Sequence, residues 1–102
     1  MYGLSNQRTD LKYLTIATNA IRYSINEFSS NKNYRSILKS LAMAITSIQE
    51  VKDDACRSNL LIYSGRLTHF NLDQSVFAKD LASLHTELQS AISDLQHQLT
   101  CQ

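Results

Sequence analysis

The chain contains no proline and only two glycines, Gly3 and Gly65, in 102 residues. Proline presets φ and glycine reaches positive φ freely, so these two residue types build most tight turns. A β-sandwich that turns about every ten residues has nowhere to turn here. A Gly-rich loop that cradles phosphate has no glycines to draw on. Long helix remains, provided that apolar residues recur at helical spacing.

They do. Over residues 5–28, Leu11, Leu14, Ile21, Ile25 and Phe28 follow one helix face, and Tyr13, Ile16, Ala20 and Tyr23 form a second apolar row beside it. Arg8, Lys12, Thr15, Asn19, Arg22 and Asn26 make up a polar stripe that is narrow for a surface helix. The five residues Ser29-Ser30-Asn31-Lys32-Asn33 then break the pattern with side chains that cap and turn. A second helix is expected over 34–64, with Ile37, Leu38, Leu41, Ala44, Ile45, Ile48, Val51, Ala55 and Ile62 on its apolar side and Gly65 as its stop. After a connector, Asn71 and Gln74 resemble a capping box. A third helix, 72–100, carries the seam Phe77, Leu81, Leu84, Leu88, Ala91, Leu95 and Leu99 at near-heptad spacing.

The fold expected from this is all-α: a single helical domain over 1–102, built as an antiparallel three-helix bundle. Its long second and third helices form a hairpin, because short connectors force neighbours antiparallel. Apolar residues are 43% of the chain, enough for one packed core at this length. The two apolar rows of the first helix exceed what two neighbours need, so a second copy or another protein is expected to cover the excess. Tyr13, Ile16 and Tyr23 are the candidate contacts, and a homodimer is the expected assembly.

Antiparallel pairing also predicts where charges meet. Folding the first two helices about residue 31 sets Arg8 and Lys12 near Glu50, Asp53 and Asp54, as a solvated ion-paired face. Folding the second and third about residue 68 sets Lys52, which falls on the apolar side, opposite position 84. From there it can reach Asp80 or Glu87 and hold the register. Asn59 falls on the same seam, either as a second register-setting polar group or as a sign that the second helix ends earlier. Residues 1–49 hold six basic and two acidic residues, and residues 50–102 hold four and seven. Arg22, Lys32, Arg35 and Lys39 gather near the first turn with little to offset them, and form a candidate patch for an anion or an acidic partner.

Motifs for chemistry are sparse, and no catalytic or cofactor-binding residues are assigned. Cys56 and Cys101 are expected roughly 30 Å apart, too far for a disulfide, which fits a reducing compartment. Asp94, His97 and Cys101 share a face, but a structural zinc site takes four ligands, so no metal is expected. His69 and His85 lack triad-like neighbours, and no serine sits in a nucleophile elbow. Early charges at Arg8 and Asp10 interrupt any leader-like apolar run, and the longest such run, residues 41–45, is far short of a membrane span. A cytoplasmic location is expected.

The expected function is therefore a small non-catalytic protein-binding module of adaptor, chaperone or inhibitor type. Nucleic-acid or anion binding through the basic end is the alternative, against which the formal net charge of +1 counts. A third reading comes from Tyr63-Ser64-Gly65, placed at the second turn. With tyrosine for tryptophan, this resembles the WXG-type secreted proteins, which are helical hairpins. The tripeptide lies past the middle of this chain and an extra helix precedes it, so no site residue is carried over.

Overall fold

The computed structural model describes residues 3–30, 33–68 and 74–100, and all regular structure there is helical. The described residues form four helices: α1 (Leu4–Ser30), α2 (Tyr34–Gln49), α3 (Asp54–Thr68) and α4 (Gln74–Thr100). The expected single helix over 34–64 is thus a pair of helices joined at residues 50–53. Asp10 Oδ1 and Oδ2 accept hydrogen bonds from the N–H groups of Lys52 (2.6 Å) and Asp53 (3.1 Å), so α1 stabilises the break from outside. Asn33 caps α2 by accepting from the Ser36 N–H, in keeping with the capping residues read there.

The helices run up, down, up and down. Phe28 and Phe77 pack with ring centroids 5.2 Å apart at one end of the α1–α4 pair. Gln7 Nε2 donates to Gln98 Oε1 (3.2 Å) at the other. Asp10 meets Lys52, as a fold-back about residue 31 requires. α1 packs on α2 and α4, and α3 packs on α4 and α2, while the diagonal pairs stand apart among the described residues. At 1.5 Å per residue, the 27-residue helices α1 and α4 span about 40 Å, which matches a long axis of 44 Å.

The core lies along the bundle axis. From α4 it takes Phe77, Leu81, Leu84, Leu88 and Leu95, with Ala91 and Leu99 half-buried, which is the expected seam. From α1 it takes Leu14, Ala17, Ile21 and Phe28, and every member of the expected polar stripe is exposed. Thr18, Ser24, Ser47 and Ser64 are buried too. Each hydroxyl donates to the carbonyl four residues earlier (2.8–3.0 Å), so none needs water.

Several expectations drawn from a continuous second helix are corrected by the break. Lys52 is an exposed connector residue and pairs with neither Asp80 nor Glu87; what it contributes is its backbone N–H. Ile62 (63% exposed) leaves the core, Ala55 is exposed, and Leu60, Ser64 and Leu67 face inward instead, whereas Leu38, upstream of the break, is 49% exposed because Ile37, Leu41 and Ala44 take the inward face of α2. Gly65 does not end the helix, since α3 continues to Thr68, and Tyr63-Ser64-Gly65 lies inside α3. The longer α3 shifts its register on α4: Asn59 Nδ2 donates to Glu87 Oε2 (3.4 Å), not toward position 77 as a fold-back about residue 68 implies. The Asn71–Gln74 cap lies outside the described residues.

The acidic trio is also divided among other tasks. Asp53 caps α3 by accepting from the Cys56 N–H (3.2 Å), Asp54 pairs with Arg57, and Glu50 is the exposed C-cap of α2. Arg57 Nη1 also donates to the Val51 carbonyl (2.7 Å), closing the turn over a valine that is 1% exposed. Neither Arg8 nor Lys12 forms an ion pair with the trio; the Lys12 ammonium lies 5.8 Å from the Tyr13 ring centroid.

Two outcomes follow for stability. Asp10→Asn is isosteric but sets an amide donor against one of two buried donors, and should cost about 2–3 kcal/mol in urea unfolding. A cost below about 1 kcal/mol would mean that the turn holds without the carboxylate. A Cβ at Gly65 meets open space, so Gly65→Ala should stabilise by about 0.5–1 kcal/mol through helix propensity; a destabilised variant would contradict the placement of Gly65 inside α3.

Candidate functional site

The second apolar row of α1 ends up on its shoulder toward α2. Ile16, Ala20 and Tyr23 lie there at helical spacing, with Asn19 at the edge, and Ser36, Lys39, Ser40 and Met43 form the facing wall on α2. Ala20, Ser36 and Ser40 are short, so the shoulders do not meet and a groove of about 540 Å³ remains between them. Ala17 on α1 and Ala44 on α2 are both fully buried in the core that these two helices share. The rims of the groove carry large apolar side chains in water: Tyr23 is 50% exposed and Met43 53%.

The groove unites residues from two separate expectations, Ile16 and Tyr23 from the partner-binding set and Lys39 from the basic set. Tyr13 is half-buried and packs against the core instead. Arg35 is exposed one turn before Lys39 on α2. Arg22 lies on the other shoulder of α1, toward α4, where it helps burial, the larger cause, to hold His85 below the usual histidine range. The buried His85 Nε2 has no hydrogen-bond partner. Lys32 lies outside the described residues, so the basic set appears as an Arg35–Lys39 pair with Arg22 set apart.

A second cleft of about 330 Å³ opens among α1, α3 and α4 over Leu14, Leu60 and Leu95. Asp10, Asp53, Glu87 and Asp94 line it beside Cys56. The first three are engaged in the hydrogen bonds described above. Burial first, and then Asp53, Asp10 and Asp94, push the Cys56 thiol up from 9.0 to about 11. That favours an inert thiol, the opposite of the electropositive setting that activates cysteine. Among the described residues, no group of three or more His, Cys, Asp or Glu side chains is placed to hold a metal. Cys101 lies outside them.

Met43 and Asp10 are the residues that sequence reasoning passed over. For Met43 a signal existed: five consecutive apolar residues, 41–45, span more than one face of a helix, so some must point outward. For Asp10 the signal was phase, since it lies one turn before Leu14 on the face that becomes the core.

In a Cys101→Ser background, iodoacetamide should alkylate Cys56 at pH 8 about ten- to a hundredfold more slowly in the folded chain than in denaturant. Because the folded thiol holds its proton more tightly, its contribution to stability is full below pH 9.0 and is lost as pH rises toward about 11. Equal alkylation rates would show that the thiol is not shielded. No family model, curated protein or solved structure matches the chain, so its functional reading rests on this geometry.

Proposed function

We propose that the chain is a non-catalytic protein-binding module that docks its partner in the α1–α2 groove. The observation that carries this is a groove lined by Ile16 and Ala20 between the exposed apolar rims of Tyr23 and Met43. Tyrosine is enriched among residues that dominate binding energy, because it offers a large, stiff contact surface with a polar tip. Methionine beside it supplies a flexible surface that adapts to a partner's shape. The volume is within the range of pockets that bury most of a bound group. An adaptor, chaperone or inhibitor would use such a surface without any chemistry of its own.

Tyr23→Glu with Met43→Glu tests this without touching the core, since both side chains are at least half exposed. Tagged full-length chain and the double variant are compared for capture from source-cell lysate, with and without nuclease, by quantitative mass spectrometry. Circular dichroism checks that the variant remains helical. A stoichiometric protein that survives nuclease and falls at least about tenfold with the variant is the expected result. Capture unchanged by the double variant would overturn the groove as the docking site. Capture that vanishes with nuclease would transfer the function to nucleic acid.

A further inference from the structure

The dimensions and charge of the groove specify more than an apolar partner. Building on the docking reading above, we infer that its occupant is an amphipathic α-helix that sets a carboxylate beside Lys39. The walls are two turns long, Ile16 to Tyr23 on α1 and Ser36 to Met43 on α2, or about 10.5 Å at helical rise. A ligand helix with apolar anchors at i, i+3 or i+4, and i+7 spans the same distance, the recurring helix-in-groove mode. An extended ligand would rely on main-chain hydrogen bonds, and here both walls are helices whose backbone groups are already paired within themselves. Recognition must therefore come from side chains.

Charge selects among such helices. Among the described residues, Lys39 is the only charged one lining the groove, and it forms no ion pair with another of them. Arg35 lies one turn away on the same helix, and α2 contains no acidic residue. The α2 N-terminus adds a dipole of the same sign. The α2 wall is thus positive and the α1 wall neutral, so an occupant with a carboxylate on its α2 flank is favoured and one with a lysine there is repelled. A second copy of the chain fits less well: among the described residues its exposed apolar pair at suitable spacing, Tyr34 and Leu38, sits beside Arg35 on a helix that contains no acidic residue.

The test uses a displayed library of single helices with apolar anchors fixed at i, i+4 and i+7 and all other positions randomised. It is selected on the full-length chain and depleted on folded Met43→Glu. The expected ligands carry Asp or Glu flanking one anchor. They should bind Lys39→Glu about five- to tenfold more weakly and recover when their own acid is changed to lysine. Selected ligands without acidic preference, or with equal affinity for Lys39→Glu, would overturn the acidic occupant while leaving groove docking intact. Failure to recover any ligand that distinguishes the wild type from Met43→Glu would overturn the helical occupant. Concentration-dependent dimerisation in sedimentation, lost in Met43→Glu, would put a second copy in the groove and overturn it as well. The lysate comparison tests docking itself and reads out independently of all three.

Discussion

A buried carboxylate on α1 determines how the rest of the chain can run. Asp10 is 1% exposed and accepts from two consecutive backbone N–H groups where α2 hands over to α3. Those donors would otherwise be stranded at a helix end, where unmade hydrogen bonds are expensive. A turn usually draws on Gly, Pro or a local Asx side chain. Residues 50–53 contain neither Gly nor Pro, and much of their capping comes from a helix more than forty positions away in sequence. The turn therefore depends on tertiary structure: it forms where α1 is already in place. Asp53 and Arg57 complete it locally by holding the next N–H and the Val51 carbonyl.

From that turn follow the up-down-up-down arrangement and the unequal helix lengths. With α2 and α3 at 16 and 15 residues, α1 and α4 run past the turn and close on each other through Gln7 and Gln98. The inner face of α1 also carries Ala17, Thr18 and Ser24, small side chains that admit close neighbours while their hydroxyls are satisfied within the helix. Leucine-rich α4 supplies volume and α1 supplies room. The same use of small residues on the shoulder, at Ala20, Ser36 and Ser40, leaves the groove open once the core is complete.

Much of this was legible in the sequence. The seam of α4, the polar stripe of α1, the Asn33 cap and the α1–α2 register could all be read because each depends on local spacing. The α2–α3 turn could not, because Ile48, Val51 and Ala55 continue a helical period straight through it and no breaker residue interrupts them. Lys52 and Asn59 on the supposed apolar face were symptoms of that error: beyond residue 50 the true inner face is out of phase with the extrapolated one, and Leu60, Ser64 and Leu67 occupy it. Half of the groove was visible as an excess of apolar surface on α1. The α2 wall was not, since Met43 lies within an apolar run in which periodicity does not separate outward from inward positions.

Tyr23 and Met43 mark the point at which the demands of folding end. At about half exposure, neither is required to fill the core, and charged or polar side chains at both positions would leave the buried core residues untouched. Scattered exposed apolar residues are ordinary on any surface. These two instead stand on opposite rims of one groove, with Ile16 and Ala20 continuing the apolar lining between them. Water held against such a concave apolar surface is released when an apolar side chain enters, so the free energy that the fold leaves unused here becomes available for association. The cation on the α2 wall then biases which apolar surfaces can take that place, because a partner that buries Lys39 without a carboxylate leaves a charge poorly solvated.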